Sequence, residues 1–244
     1  MNKKLLNVIN HFYEDLSNIE GLEVEDIILY GSTVTGDYKE ARGDIDFLVF
    51  LKNHISTSQM EAIFKLHDAY REKDDMYAQL EGTYYTHRMR GLYIGTSRKG
   101  WKAIDKNIHG YIEQAMILSD YYSLKNKVDI HTVFIKNDEE ISHEIDRLTK
   151  EIDKLSNTLK DMEFNIYGIQ TLARCIYTKC YGGFASKSEA VSNLLSKDEF
   201  KEYTDVLCIV KSIRYPYKTE ELKTLNLDET TKILSKLILY IQAS

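Results

Sequence analysis

Leu29-Tyr30-Gly31-Ser32-Thr33-Val34-Thr35-Gly36-Asp37-Tyr38-Lys39-Glu40-Ala41-Arg42-Gly43-Asp44-Ile45-Asp46-Phe47-Leu48-Val49-Phe50 is the stretch on which the fold turns. The apolar run Asp26-Ile27-Ile28-Leu29-Tyr30 ends in Gly31-Ser32, and a second apolar run opens with Asp44-Ile45-Asp46. Both runs are short, rich in β-branched or aromatic residues and bounded by glycine, which predicts two buried strands. Alternate residues of a strand share a face, so Asp44 and Asp46 are expected to point one way and Ile45 and Phe47 the other. Their Cα atoms would lie about 6.6 Å apart. Like charges about 4 Å apart, at an effective dielectric of about 20, cost about 4 kcal/mol. A divalent cation removes that cost, and carboxylates together with nucleotide phosphates are the usual ligands of Mg²⁺.

Gly31 and Ser32 extend the same reading. Glycine lets the backbone turn and lets a phosphate approach closely. Ser32 can donate from its hydroxyl and its amide, and a short helix starting near Thr33 would add free N–H groups to an anion site.

The chain has 244 residues, 43% of them hydrophobic and 29% charged, enough for one large domain or two small ones with a real core. No run approaches the length of a membrane span, and Met1-Asn2-Lys3-Lys4-Leu5-Leu6-Asn7 lacks the apolar centre of a signal peptide. Cys175, Cys180 and Cys208 match no zinc spacing and read as reduced core residues of a cytoplasmic protein. A net charge of −6 argues against a general nucleic-acid binder and permits a cationic substrate. No feature of the chain selects an oligomeric state.

Helical spacing runs from Asn2 to Ile19 and again from Ser56 to Lys73, with Ser56 as N-cap. Tyr77 to Thr86 predicts a third strand, on which Gln79, Glu81 and Thr83 share a face and Glu81 looks toward the two aspartates. Residues 87 to 108 read as a basic loop: Arg88, Arg90, Arg98, Lys99, Lys102 and Lys106 against Asp105, broken by Gly91, Gly95 and Gly100, with Trp101 the single tryptophan. Tyr111 to Leu124 reads as a helix and Val128 to Ile135 as a strand. Beyond Asn137 the texture changes. Ile141, Ile145, Leu148, Ile152, Leu155 and Leu159 form a narrow apolar seam suited to a helical bundle. Helices follow at about 162–180, 187–195, 197–213 and 219–242, with Ser186 and Glu189 as a capping box and Tyr215-Pro216 separating the last two. The domains expected are residues 1–137 and residues 138–244.

Strand, Gly-Ser, loop, Asp-x-Asp and apolar strand, in that order, resemble the signature of the polymerase-β-like nucleotidyltransferases. Leu80-Glu81-Gly82-Thr83 is similar to the third-carboxylate strand of the streptomycin/spectinomycin adenylyltransferases. Gln170-Thr171-Leu172-Ala173-Arg174 and Gly182-Gly183-Phe184-Ala185-Ser186-Lys187 resemble a later segment of those enzymes. The family's Pro-Trp-x-Tyr-Pro segment and its acidic run before the Thr-Leu-Ala-Arg helix are missing, and Glu163-Phe164-Asn165-Ile166-Tyr167-Gly168 stands where that run would be. Both departures touch the substrate side.

The resemblance implies an α+β fold: a small mixed sheet with flanking helices, followed by an all-α helical bundle domain, with the active site in the cleft between them. It implies transfer of AMP from Mg-ATP to a hydroxyl, with release of pyrophosphate. Asp44 and Asp46 would hold one or two Mg²⁺ ions. Glu81 would act as base and touch a metal, Gly31 and Ser32 would bind the β/γ-phosphates, and Arg174 and Lys187 would complete the phosphate contacts. The acceptor expected is a small, hydroxylated, cationic molecule of the aminoglycoside class, with Asp161 and Glu163 as candidate carboxylates for it. Two other readings stay open: a nucleotidyltransferase that modifies a protein or tRNA, which the basic 88–106 segment would serve, and a catalytically silent nucleotide-binding regulator.

Overall fold

The fold was obtained as a computed structural model that describes residues 3–40, 43–73, 76–86, 89–97, 100–104, 109–214 and 218–243, with backbone alone at 89–97 and 100–104. The chain folds as two compact units, Met1–Ile135 and Lys136–Ser244.

The first unit runs α1 (Lys3–Ser17), β1 (Val24–Leu29), α2 (Ser32–Thr35), β2 (Ile45–Leu51), α3 (Thr57–Arg71), β3 (Leu80–Thr86), β4 (Met89–Ser97), β5 (Gly100–Ile104), α4 (Tyr111–Ser119) and β6 (Tyr122–Ser123). The strands form one mixed sheet in the order β5-β4-β3-β2-β1-β6. β2 pairs antiparallel with β1 and parallel with β3, the parallel step being bridged by α3. Ser56 starts α3 with a full capping box, its side chain accepting from the Gln59 amide while Gln59 reaches back to the Ser56 amide.

Both faces of the sheet are covered, and period-two alternation sorts the residues between them. Ile45, Phe47, Val49 and Leu51 of β2 join Ile27 and Leu29 of β1 beneath α1 and α3, with Leu5, Ile9, Phe12 and Ile63. Leu48 and Phe50 join Ile28, Tyr30 and Tyr85 on the other face, against Ile117 of α4 and Val128, Ile130 and Phe134. This double burial explains why β1 and β2 read as near-continuous apolar runs.

Three sequence expectations are corrected here. Residues 87 to 108 were expected as a loop, yet most of the stretch forms the hairpin of β4 and β5: Gly95 pairs with Thr83 inside the ladder, and Tyr93 and Ile94 pair with Ile104 and Ala103. Gly91 and Gly95 sit within β4, and Gly100 opens β5. Arg90, Trp101 and Lys102 fall on these strands, while Arg88, Arg98, Lys99, Asp105 and Lys106 lie outside the described residues. Tyr77 to Gln79 belong to a 3₁₀ turn, Met76–Gln79, and the third strand starts only at Leu80. Val128 to Ile135 is not a strand. The fully buried Asp26 accepts from Ser123 Oγ at 2.7 Å and from the amides of Lys125, Lys127 and Val128 at 2.9, 2.9 and 3.3 Å. The Val128 amide, at the start of the expected strand, is thus committed to a carboxylate and not to a ladder. Asp129 then caps a turn at Ile130–Thr132.

The second unit contains α5 (Asp138–Leu159), α6 (Met162–Tyr181), α7 (Lys187–Leu195), α8 (Thr204–Ser212), α9 (Thr219–Leu222) and α10 (Leu227–Ala243). α6 packs against α5, α7, α8 and α10. Two buried amides staple these helices. Gln170 donates to the carbonyls of Val210 and Ile213 at 2.9 and 3.0 Å, and Asn165 donates to the hydroxyls of Thr230 and Thr231 at 3.1 and 2.9 Å. The expected helix at 197–213 divides into a 3₁₀ segment, Asp198–Tyr203, and α8, and the one at 219–242 breaks between α9 and α10. The α5 seam is buried at Ile141, Ile145 and Ile152, but Leu159 is exposed. Of the cysteines only Cys175 is buried, so the core reading fails for Cys180 and Cys208. Tyr215-Pro216 lies outside the described residues.

His67 of α3 is buried against this sheet. Its Nε2 lies 2.6 Å from the Tyr84 hydroxyl, and its ring stacks on Phe47. Burial, reinforced by the Arg71 charge, pushes its pKa down to about 3. An unfolded histidine titrates near 6.5, so between those values the unfolded chain binds a proton that the folded chain refuses. Stability from this group is therefore fully present above about pH 6.5 and is lost as pH falls toward 3. Between pH 7 and pH 4.5 the expected loss is on the order of 2–3 kcal/mol. Urea denaturation at the two pH values should show that loss shrinking in His67→Gln; an undiminished loss would assign the acid sensitivity to other groups.

Candidate active site

Asp46 is the second residue of β2, and Asp44 immediately precedes the strand. Both are half-buried, with Ile45 and Phe47 fully buried between and beyond them. The parallel register sets Asp46 directly opposite Glu81 of β3. Adjacent strands lie about 4.8 Å apart, so the two carboxylates project side by side from one face of the sheet. This is the face that carries Leu48, Phe50, Tyr30 and Tyr85 farther along.

The turn after β1 closes on the same point. The Tyr30 amide donates to the Asp46 carbonyl at 3.2 Å. Gly31 follows with φ 68 and ψ −143 and serves as N-cap of the single-turn helix α2, which Ser32 opens. A Cβ on Gly31 would lie 2.5 Å from Asp46 Oδ2. Two constraints thus select glycine there: a left-handed φ and the closeness of the Asp46 carboxylate. The Val34 and Thr35 amides both donate to the Gly31 carbonyl, so the tight turn is held by its own backbone.

Three further residues border the site and carry no local sequence signal. The buried Tyr30 hydroxyl donates to Glu113 Oε1 at 3.1 Å. Glu113 Oε2 lies 3.0 Å from Nδ1 of buried His109, whose ring stacks on Tyr85. Burial first, then the charges of Glu113 and Asp46, hold the Tyr30 phenol well above its ordinary pKa, so it stays a protonated donor. Glu113 and His109 stand more than sixty residues from Asp46 in the chain, and only the folded sheet brings them near Tyr30.

The donor set suits a hard divalent cation, because Asp44, Asp46 and Glu81 offer carboxylate oxygens alone. Among the described residues no group of three or more His, Cys, Asp or Glu side chains is gathered closely enough to hold an ion. The three carboxylates are thus not a closed protein cage. Mg²⁺ is ordinarily held by one or two carboxylates plus substrate phosphates and water, and the Asp46–Glu81 pair with Asp44 beside it fits that pattern.

The remaining candidates belong to the second unit. Arg174 is half-buried on α6 among buried Leu172, Ala173, Cys175 and Ile176. Burial pushes the Cys175 thiol up to about 11, while the Arg174 charge pulls it down and that of Glu144 pushes it up. Lys187 is the first residue of α7, after Ser186, whose hydroxyl accepts from the Glu189 amide at 3.2 Å. Asp161 is the N-cap of α6 and accepts from the Phe164 amide at 3.2 Å, and Glu163 is exposed in the first turn of that helix. Both acids therefore have local helix-end roles.

A family model described as a nucleotidyltransferase domain matches residues 9–87. The chain is 30% identical over 73 residues to "Putative protein adenylyltransferase MJ0141" of Methanocaldococcus jannaschii, a match that covers 30% of this chain and 73% of that relative. The chain belongs to the nucleotidyltransferase family. The matched stretch holds the later part of α1, the Gly31 turn, Asp44, Asp46 and Glu81, so it contains every candidate of the first unit. In fold this nucleotidyltransferase is similar to spectinomycin adenyltransferase AAD(9) from Enterococcus faecialis, solved with ATP and spectinomycin: TM-score 0.65 at 15% identity, covering 96% of this chain and 98% of that one. The polymerase-β-like signature read from the sequence is borne out, as is the sequence of a mixed-sheet unit followed by helices. Among the described residues no helix is long and apolar enough to cross a membrane.

Gly31→Ala is expected to destabilise the fold by roughly 1–3 kcal/mol through left-handed strain and its collision with the Asp46 carboxylate. Urea denaturation should show a smaller penalty in an Asp46→Ala background, where the colliding oxygen is gone. Equal penalties in both backgrounds would assign the whole effect to φ.

Proposed function

We propose that this nucleotidyltransferase transfers AMP from Mg-ATP to a hydroxyl of a small cationic acceptor of aminoglycoside type, releasing pyrophosphate. The observation that carries the reading is the parallel register that sets Glu81 opposite Asp46 beside the Gly31 turn. One carboxylate can serve a cation while its neighbour serves the acceptor. The fold likeness to an enzyme solved with ATP and spectinomycin supports the choice of nucleotide and acceptor class.

Asp44 and Asp46 would hold the cation, with Glu81 on the neighbouring strand beside Asp46. When bound, Mg²⁺ orients the triphosphate and offsets charge at the α-phosphorus. Glu81 accepts the proton of the acceptor hydroxyl as it attacks. The Ser32 hydroxyl and amide donate to the β/γ-phosphate oxygens, which the bare Gly31 backbone lets approach. Arg174 and Lys187 supply further cations to a triphosphate that carries about four negative charges, each contact worth roughly 1.5–3 kcal/mol.

Incubation with Mg-ATP across a panel of aminoglycosides, read as pyrophosphate release and as the mass of an adenylylated drug, tests the reading. A second reading, AMP transfer to a protein, is favoured by the name of the Methanocaldococcus relative. Label transferred from ATP to a protein in cell extract, with no drug turned over, selects it. Nucleotide binding without turnover of either kind selects a silent regulator.

Asp46→Asn should leave less than a tenth of the wild-type rate in a folded protein. Glu81→Gln should lower turnover roughly 10²- to 10⁴-fold while leaving Mg-ATP affinity nearly intact. An affinity loss as deep as that of Asp46→Asn would make Glu81 principally a metal ligand. Arg174→Ala and Lys187→Ala should each weaken Mg-ATP binding about tenfold by isothermal titration; unchanged affinity in either removes that residue from the phosphate contacts.

A further inference from the structure

Asp46 and Glu81 are fixed by the sheet ladder, but Asp44 precedes β2 and has no ladder partner. It follows the connection that leads from α2 to β2. Tyr38, which lies between α2 and β2, makes three contacts beside candidates of the first unit: at Ser32, at the residue before Asp44 and near the start of β3. Its amide donates to the Ser32 carbonyl at 3.0 Å. Its ring lies over Gly43, the residue before Asp44, where a Cβ would come 3.0 Å from Cδ2. Its hydroxyl donates to Oε1 of Gln79, a buried side chain at the end of the 3₁₀ turn that delivers the chain into β3, two residues before Glu81. The same ring packs against the core beneath α1 and α3, which gives the contacts a rigid base.

We propose that Tyr38 is a positioning residue of the transfer site, whose hydroxyl, through Gln79, holds the Asp44 end of β2 at a fixed distance from the Glu81 end of β3. The inference rests on the nucleotidyl-transfer reading above. Its physical basis is that a carboxylate outside the ladder can serve a cation only if something else fixes it, and side chains at a site are fixed by hydrogen bonds from behind. A neutral hydrogen bond between half-buried and buried partners is strong enough to matter and specific enough to be removed alone.

The test uses the full chain, Mn²⁺ as a spectroscopic probe and an ATP analogue that cannot be cleaved between the α- and β-phosphates. Mn²⁺ affinity of the nucleotide complex is read by electron paramagnetic resonance, and Tm by calorimetry. Tyr38→Phe keeps the ring and removes only the hydroxyl. It should weaken Mn²⁺ binding about three- to tenfold with Tm nearly unchanged. Gln79→Met should reproduce the loss, the double variant should be no worse than either single one, and Gln79→Glu, which keeps an acceptor, should restore most of the affinity. A residue that merely stabilised the fold would move Tm and give additive losses.

Wild-type Mn²⁺ affinity in Tyr38→Phe, or additive losses in the double variant, would overturn the proposal alone. Should Tyr38→Phe lower Tm enough to account for the loss, the Gln79→Met and Gln79→Glu pair decides: equal affinities in those two overturn it. A wild-type protein that bound no Mn²⁺-nucleotide would overturn the transfer reading and this proposal with it.

Discussion

Two carboxylates, Asp46 and Glu81, are forced side by side by the parallel pairing of β2 with β3. Neither strand can slip to separate them. A one-residue shift would turn Phe47 and Tyr84 out of the core beneath α1 and α3 and bring charges in, so the apolar alternation locks the register. Repulsion of a few kcal/mol at one end of the sheet is small against the burial of residues along both strands. The fold therefore holds two like-charged groups on neighbouring strands, an arrangement whose repulsion a divalent cation would offset.

The neighbourhood is built to the same constraint. β1 delivers the Gly31 turn so close to Asp46 that a methyl group would meet its carboxylate. The Tyr30 amide reaches the Asp46 carbonyl, and its phenol turns inward to Glu113. The site side of the sheet is thus acidic at its mouth and aromatic behind. The other side is filled by α1 and α3, with a neutral His67 among Phe12, Phe47, Tyr70 and Tyr84. Buried polar pairings stand on both sides: His67 with Tyr84, and Asp26 with one hydroxyl and three amides. Each such pairing fixes a segment that packing alone would leave adjustable.

The sequence by itself determined what depends on near neighbours. The period-two runs at 26–30 and 45–50, glycine at 31 and the Asp44-Ile45-Asp46 triplet identify two buried strands, a turn and an acidic strand end, because alternation and turn chemistry are local properties. Helices α1, α3, α6 and α7 were legible from apolar spacing and from the caps at Ser56 and Ser186, for the same reason. Tertiary structure decided the rest. Asp26 draws the amides of Lys125, Lys127 and Val128 onto its carboxylate, about a hundred residues along the chain, where the sequence suggested that a strand would begin at Val128. Pairing with β3 drew the glycine-containing stretches 89–97 and 100–104 into paired strands, since strand propensity is largely set by what lies alongside. The opposition of Asp46 to Glu81, the Tyr30–Glu113–His109 contacts and the reach of Tyr38 to Gln79 exist only in the folded chain, because each joins residues whose separation along the sequence carries no periodic signal.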